Sequence, residues 1–409
     1  MYGRYRPVAI LLLLVISVSF SLSGQTPTDE PWSVWLYTLG DQSGLTQPQP
    51  QLVRVYADGT TEEFIPAIPP GNAMSEPAFS DTGNWIAYCA PDPVTMILTL
   101  SALDLTNGAD GLAQARGIAF PIAYTLERAW VCNAIAFSDD ETQLALIVTN
   151  NVTDSTIPAW EVLIFNLITG AVEKRLPADT FALTVPTDSQ NPLPTPELCL
   201  YLDNRTVVFR LLPAYVNPGS QPLASAYSWN ADTDALTPYP LCDAVFLNIA
   251  AVVAVTGQIR YEYVWVLGAD NSFPTTEVMY SDGVSGSAYP IYAHPDGLAW
   301  AKFADGGRHI VAQVSYGARV AIDRSGAQTT LPENTNIGTI TGTGDGFVAL
   351  EIDSLSWAAQ LVYYRFAPDG RTVEPTTLWQ DDPGRYWSLV WSTPMQLAAD
   401  LQPFPPIQP

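Results

Sequence analysis

The feature that most constrains this chain is a two-strand pattern that returns along its length. "EPAFSDTGNWIAYCA" (76–90) places a polar four-residue turn between two apolar runs. "NAIAFSDDETQLALI" (133–147) repeats it closely, and "AWAKFADGGRHIVAQ" (299–313) more loosely. A second kind of hairpin joins an apolar strand to a more polar partner, as in "LVRVYADGTTEEFI" (52–65) and "EVLIFNLITGAVEKRL" (161–176). It recurs at 99–114, 226–239, 263–280, 318–331 and 361–378. Gly, Asn and Asp at the tips supply the positive φ that tight hairpins require. Helical periodicity is scarce, so the chain reads as all-β.

Seven hairpins of the second kind predict seven four-stranded units, at the roughly 40–60-residue spacing of propeller blades. A lone blade cannot bury both its faces, so blades stack around an axis. The ends fit closure of such a ring. "WSVWLYTL" (32–39) is the one strand ahead of the first hairpin, and "RYWSLVWS" (385–392) is left over at the other end. Together they complete one blade. The expected fold is a seven-bladed β-propeller over 31–393, its last blade closed by strands from both termini, with a Pro-rich C-terminal tail at 394–409. A pair of β-sandwich domains is the alternative, since sandwiches also show short strands at close spacing.

"EPAFSDTGNWIAY" and "NAIAFSDDETQLALI" resemble the WD-repeat-like element of TolB-type propellers, and "LIFNLITGAVEKRL" resembles the partner hairpin of those repeats. The likeness is good over about 75–180 and 298–380 and weak through 195–290. Where the family pattern has Pro-Asp-Gly, this chain has Asp81-Thr82-Gly83 in one copy and Asp139-Asp140-Glu141 in another. The resemblance implies a scaffold and, for function, protein–protein contact. It does not imply a chemistry.

Arg4 and Arg6 precede an apolar run from Val8 to Phe20, followed by small residues at Ser21, Ser23 and Gly24. That is the plan of a secretory signal over 1–24. The run is too short for a membrane span, which needs about 20 residues. An uncleaved anchor is the competing reading. The expected destination is secreted, extracellular or periplasmic, with no membrane insertion after cleavage. Net charge is −24, and Lys174 and Lys302 are the only lysines. Such a surface repels nucleic acid and anionic membranes and suits a cationic partner. Charged residues make up only 14% of the chain against 47% hydrophobic, which excludes an acidic disordered tail.

Cys89, Cys132, Cys199 and Cys242 are an even set in an exported chain, and four cysteines allow three pairings. The favoured pairing is sequential, Cys89–Cys132 and Cys199–Cys242, because both pairs span the same separation. Four buried thiols are the alternative. Zinc is disfavoured by the absence of CxxC and by a histidine count of two, His294 and His309.

In such a ring, one face carries the turns inside the hairpins, all short here. The other carries the loops between second and third strands and between blades, which are long and proline-rich, as at 41–50, 177–196, 211–222 and 285–297. Long loops on a rigid scaffold are where binding is usually built. The binding candidates on that face are Arg128, Trp130, Trp160, Tyr215, Tyr292, His294 and Trp357. Packing between blades is the competing role for each aromatic. Chemical motifs are sparse. Ser285 in "DGVSGSAYP" lacks GxSxG spacing, and no HExxH or phosphate-cradling loop is present. Asn230, Asp232 and Asp234 have calcium-loop spacing, but Ala235 and Leu241 stand where such a loop needs Gly and Glu.

No motif implies a cofactor or a metal. The expected function is non-catalytic recognition of an envelope or extracellular protein, or of a polysaccharide. The rivals are a hydrolase with carboxylates at the channel mouth and a lectin-like sugar binder.

Overall fold

The computed structural model describes residues 32–41, 50–65, 75–91, 98–105, 116–121, 130–150, 160–178, 180, 195–202, 204–212, 226–238, 245–253, 259–266, 277–282, 288–314, 318–331, 337–353, 355–381, 384–393, 395–397 and 401–407. Within them the chain is all-β. Its strands form seven sheets in sequence order, six of four strands and one of five. The sheets span 33–64, 78–121, 130–177, 195–238, 245–293, 298–330 and 337–381 and are called here the first to the seventh. Inside each, neighbouring strands in sequence are antiparallel neighbours in space. The first sheet gains its fourth strand, Arg385–Ser392, from the other end of the chain, paired antiparallel with Ser33–Asp41.

The core explains why these strands read as continuous apolar runs. In Gln143–Asn150, Leu144, Leu146 and Val148 pack against the second sheet with Ala87 and Leu100. The alternate residues Ala145 and Ile147 pack against the fourth sheet with Val207, Phe209 and Trp229. Strand periodicity is two, so a sheet covered on both faces needs apolar residues at every position. Gly346–Ile352 repeats the arrangement. Phe347 and Ala349 face the sixth sheet, while Val348, Leu350 and Ile352 face the first. Further clusters join the first sheet to the second and the fifth to the sixth. Each fully buried Leu or Val contributes about 1.5–3 kcal/mol.

The hairpin tips are tied to one another from sheet to sheet. In the second sheet Ser80 N–H donates to Trp85 O, and Ser80 Oγ accepts from Trp85 N–H at 3.1 Å. Ser138 and Gln143 repeat that pair of bonds in the third sheet. Gly83 turns the first tip with φ 74°, and the Trp391 ring of the closing strand lies so near that a Cβ there would come within 2.6 Å. Trp391 Nε1 also donates to Ser80 O at 3.0 Å. The disulfide Cys89–Cys132 joins the second and third sheets, as expected for the first pair. The expected Cys199–Cys242 pair lies outside the residues whose side chains are described, as does the expected signal segment.

The end of the chain does more than close a sheet. Thr393 still bonds to Ser33 in the first sheet, yet Gln396–Leu397 pairs parallel with Ala251 and Val252 on the inner edge of the fifth. Three residue steps reach at most about 11 Å. Edge strands of these two non-consecutive sheets therefore lie that close together.

Candidate interaction surface

Trp357 sits in the turn between the second and third strands of the seventh sheet, where the long-loop face was expected. Asp353 builds this turn. Its Oδ1 accepts from the amides of Leu355 at 3.0 Å and Ser356 at 2.7 Å, and from Ser356 Oγ at 2.8 Å. These bonds hold the Asp353 carboxyl below the usual carboxylate range, the Ser356 amide contributing most. Trp357 N–H then donates to Asp353 O at 2.9 Å, with Trp357 at φ 60°. A left-handed backbone is a genuine outlier for so bulky a side chain. The cost is of order 1–3 kcal/mol, and the residue that bears it remains 47% exposed.

The ring packs edge-on against Tyr386 with centroids 5.7 Å apart. Tyr386 is itself 49% exposed, and Leu355 in the same turn is 92% exposed. Next to Tyr386 in the chain, Arg385 Nη1 donates to Gln51 Oε1 at 3.0 Å, and Gln51 Nε2 to Glu63 at 3.1 Å. On its other side Trp387 is buried, donates its indole N–H to Asp381 at 2.7 Å and packs on Trp379. Two aromatic rings in contact, each about half exposed, are a candidate anchor for a partner.

The other sequence candidates are placed differently. Trp160 is 1% exposed and packs edge-on against Phe209 between the third and fourth sheets. Tyr292 is likewise buried, in the cluster between the fifth and sixth sheets. Both are packing residues, because strand positions at a sheet end still face the neighbouring sheet. His294 is half-buried in the turn between the fifth and sixth sheets, its Nδ1 accepting from Asp296 N–H at 3.2 Å. Trp130 begins the first strand of the third sheet, and its side chain lies outside the description, as do Arg128 and Tyr215. Among the candidates whose side chains are described, Trp357 is the exposed aromatic. Its partner Tyr386, and the exposed Leu355 of the same turn, were missed. The signals were available: a tyrosine ahead of the strand "WSLVWS", and an apolar residue inside the polar turn "DSLSW".

On the opposite face, a cavity of 740 Å³ opens between the tips of the sixth and seventh sheets. Its polar lining is already engaged. His309 stacks on Phe366, with Nδ1 2.9 Å from Asp305 Oδ2 and Nε2 3.2 Å from the Gly370 carbonyl. Asp345 accepts from Tyr363 Oη and from Arg365 Nε. Burial pushes its carboxyl up, but these donors prevail and hold it below the usual range. Asp323 and Asp369 cap backbone amides of their own turns. Both ring nitrogens of His309 are engaged, and its contacts with Gly370 and Phe366 join the sixth sheet to the seventh. Asn230 similarly accepts from the amides of Asp232 and Thr233, while Asp232 and Asp234 pair with Arg205 and Lys174. Among the described residues no group of three metal-ligating side chains converges. No described helix is long and apolar enough to cross a membrane.

No family model matches the chain, and no curated protein matches it. Solved structures do. TolB from Acinetobacter baumannii is 14% identical, with 87% of this chain aligned to 66% of that one at a TM-score of 0.41. The β-propeller domain of the Trilobed protease from Pyrococcus furiosus is 11% identical, 85% aligned to 92%, at 0.49. Acylaminoacyl peptidase from Pyrococcus horikoshii is 12% identical, 85% aligned to 50%, at 0.49. The chain thus spans two thirds or less of the TolB and peptidase chains.

Proposed function

We propose that this chain is an exported, seven-bladed β-propeller, closed by strands from both termini, that acts as a non-catalytic recognition module for a protein of the envelope or extracellular space. In this reading residues 1–24 are a cleaved signal, 31–393 the propeller and 394–409 a C-terminal tail. What supports the ring is the pairing of Ser33–Asp41 with Arg385–Ser392 and the apolar clusters between consecutive sheets. A disulfide fits an oxidising compartment.

The observation that carries the recognition role is Trp357, held exposed in a left-handed turn against exposed Tyr386. Aromatic anchors of this kind dominate binding energy where they meet a partner. The Arg128, Trp130 and Tyr215 positions extend the same reading to the loop face as a whole.

The test is capture of a partner from envelope extract by the intact chain, by the double variant Trp357→Ala/Tyr386→Ala, and by Arg365→Ala on the opposite face. A specific protein retained by the intact chain and by Arg365→Ala, and lost by the double variant, supports the reading. Capture unaffected by the double variant removes this surface from it. Retention of polysaccharide in place of protein would favour the lectin-like alternative.

A further inference from the structure

Residues 401–407, "LQPFPPI", lie as an extended strap across the tips of the fifth and sixth sheets. One side chain anchors it. Phe404 is 1% exposed, while Gln402, Pro403, Pro406 and Ile407 are exposed. Its ring enters a slot made by Tyr280, edge-on at 5.2 Å, and by the Arg324 guanidinium, which lies 4.4 Å above it. Leu401 packs, partly buried, against the same apolar cluster, and the polar contacts read the strap's backbone. Arg324 Nη1 donates to Gln402 O at 2.6 Å, Tyr289 Oη donates to Phe404 O at 2.8 Å, and Ile407 N–H donates to Pro290 O at 3.0 Å. Gly326 lies under Pro405, where a Cβ would come within 3.0 Å of the proline ring.

The slot is built by bonds that do not involve the strap. Arg324 Nε donates to Gly307 O at 2.7 Å, and its Nη2 donates to Glu262 at 2.8 Å. Glu262 is 0% exposed, and its pairing with Arg324 helps to fix the guanidinium in place. Tyr280 and Tyr289 brace one another edge-on at 5.7 Å. The donors therefore stand in place before any segment arrives, which is what makes a site bind rather than merely pack.

A segment that folds as part of a core buries most of its side chains. This one fully buries a single ring, with Leu401 and Pro405 partly buried beside it, is read through its backbone and is stiffened by three prolines. That is how aromatic-lined grooves take proline-rich peptides. We propose that this groove is a binding site for an extended peptide carrying an aromatic residue between prolines, and that the chain's own C-terminus is its resident, displaceable ligand. A partner's segment of that composition would enter by replacing the strap. The tether gives the strap a high effective concentration, so the intact chain binds such a peptide weakly. The site lies on the hairpin-tip face and is independent of the surface around Trp357.

The probe is the labelled peptide LQPFPPIQP, titrated by fluorescence anisotropy against the full chain and against its Phe404→Ala variant. The variant should bind the peptide at least tenfold more tightly than the unaltered chain. A peptide with alanine for phenylalanine should lose that binding, as should Arg324→Ala added to the variant. Equal affinities for the two chains, or no binding to either, overturn the proposal. If Phe404→Ala does not fold, judged by near-ultraviolet circular dichroism, the unaltered chain decides. Hydrogen exchange at Ile407 should quicken when millimolar peptide displaces the strap, and exchange left unchanged overturns the proposal equally.

Discussion

Glu141 holds in the third sheet the left-handed backbone position that Gly83 holds in the second, φ 56° against 74°, and its carboxylate reaches back to the Thr82 hydroxyl beside Gly83. Its second oxygen accepts from Asn84 Nδ2 at 3.3 Å. A residue that departs from the repeat pattern thus accepts backbone strain and ties two hairpin tips together. The neighbouring tips are tied in turn, Asp140 N–H donating to Asn204 Oδ1 at 2.7 Å. Glu141→Ala keeps the strained backbone and loses both bonds, so it should cost about 1–2 kcal/mol. Glu141→Gly loses the same bonds but relieves the strain, and should cost less. Urea unfolding of the two variants checks the order; a costlier glycine would show that the left-handed position carries no strain.

The Cys89–Cys132 bridge closes a 43-residue separation between adjacent sheets. Replacing both cysteines by serine should lower stability by about 2–5 kcal/mol, most of it through a freer unfolded chain. Thermal unfolding with and without reductant checks it. The unaltered protein should lose stability on reduction, and the double variant should be insensitive.

Arg319 and Glu351 form a buried ion pair between the sixth and seventh sheets, Nη1 to Oε1 at 3.5 Å. The two partners are not equally provided for. Glu351 also accepts from Tyr364 Oη at 2.6 Å and Gln360 Nε2 at 2.9 Å, whereas Nε and Nη2 of Arg319 lack hydrogen-bond partners. Glu351→Ala strands the guanidinium and should cost about 3–5 kcal/mol. Arg319→Met leaves a carboxylate that keeps two donors and should cost less. Chemical denaturation that ranks arginine removal as the costlier change contradicts this account.

How much of this was legible beforehand depended on whether a residue's role is local. The strand "QLALIV" shows its burial on both faces in its composition, and the tips "SDTG" and "SDDE" show their turns. The pairing of 32–39 with 385–392 followed from counting hairpins, because an unpaired strand at each end has one economical use. Roles that depend on the neighbouring sheet were not legible. Trp160 and Trp357 both stand near strand ends in the sequence, and only packing puts one between sheets and the other in solvent. The strap was hidden for a related reason. "QPFPPI" has no periodicity, and a lone phenylalanine among prolines reads as a tail until Tyr280 and Arg324 are found around it.

The Asp353 turn should respond to acid. Its carboxyl is held below the ordinary value of about 3.9 by amides it bonds only in the folded chain. A lowered folded value means that the contribution is present above the unfolded value and is lost as pH falls through the folded one. The Ser356 amide resonance should therefore titrate with a midpoint below about 3.9, and Asp353→Asn should abolish that titration. A midpoint above that value removes the turn's dependence on the carboxylate.

Trp357 offers the sharpest separation of stability from function. Its left-handed backbone costs of order 1–3 kcal/mol, and the residue is only about half buried, at 47% exposed. Glycine adopts that conformation freely, but its unfolded chain is also more flexible, which takes back part of the gain. Trp357→Gly relieves the strain but gives up the ring's partial burial and its contact with Tyr386, so it should change stability by no more than about 1 kcal/mol. Trp357→Ala keeps the strain, loses the contact with Tyr386 and should be the less stable of the two. Both should lose partner capture. Backbone strain under an exposed ring persists where a side chain is needed in a particular place. If Trp357→Gly instead proved strongly destabilising in urea unfolding, the ring would be a packing residue, and the surface it shares with Tyr386 would lose its claim to recognition.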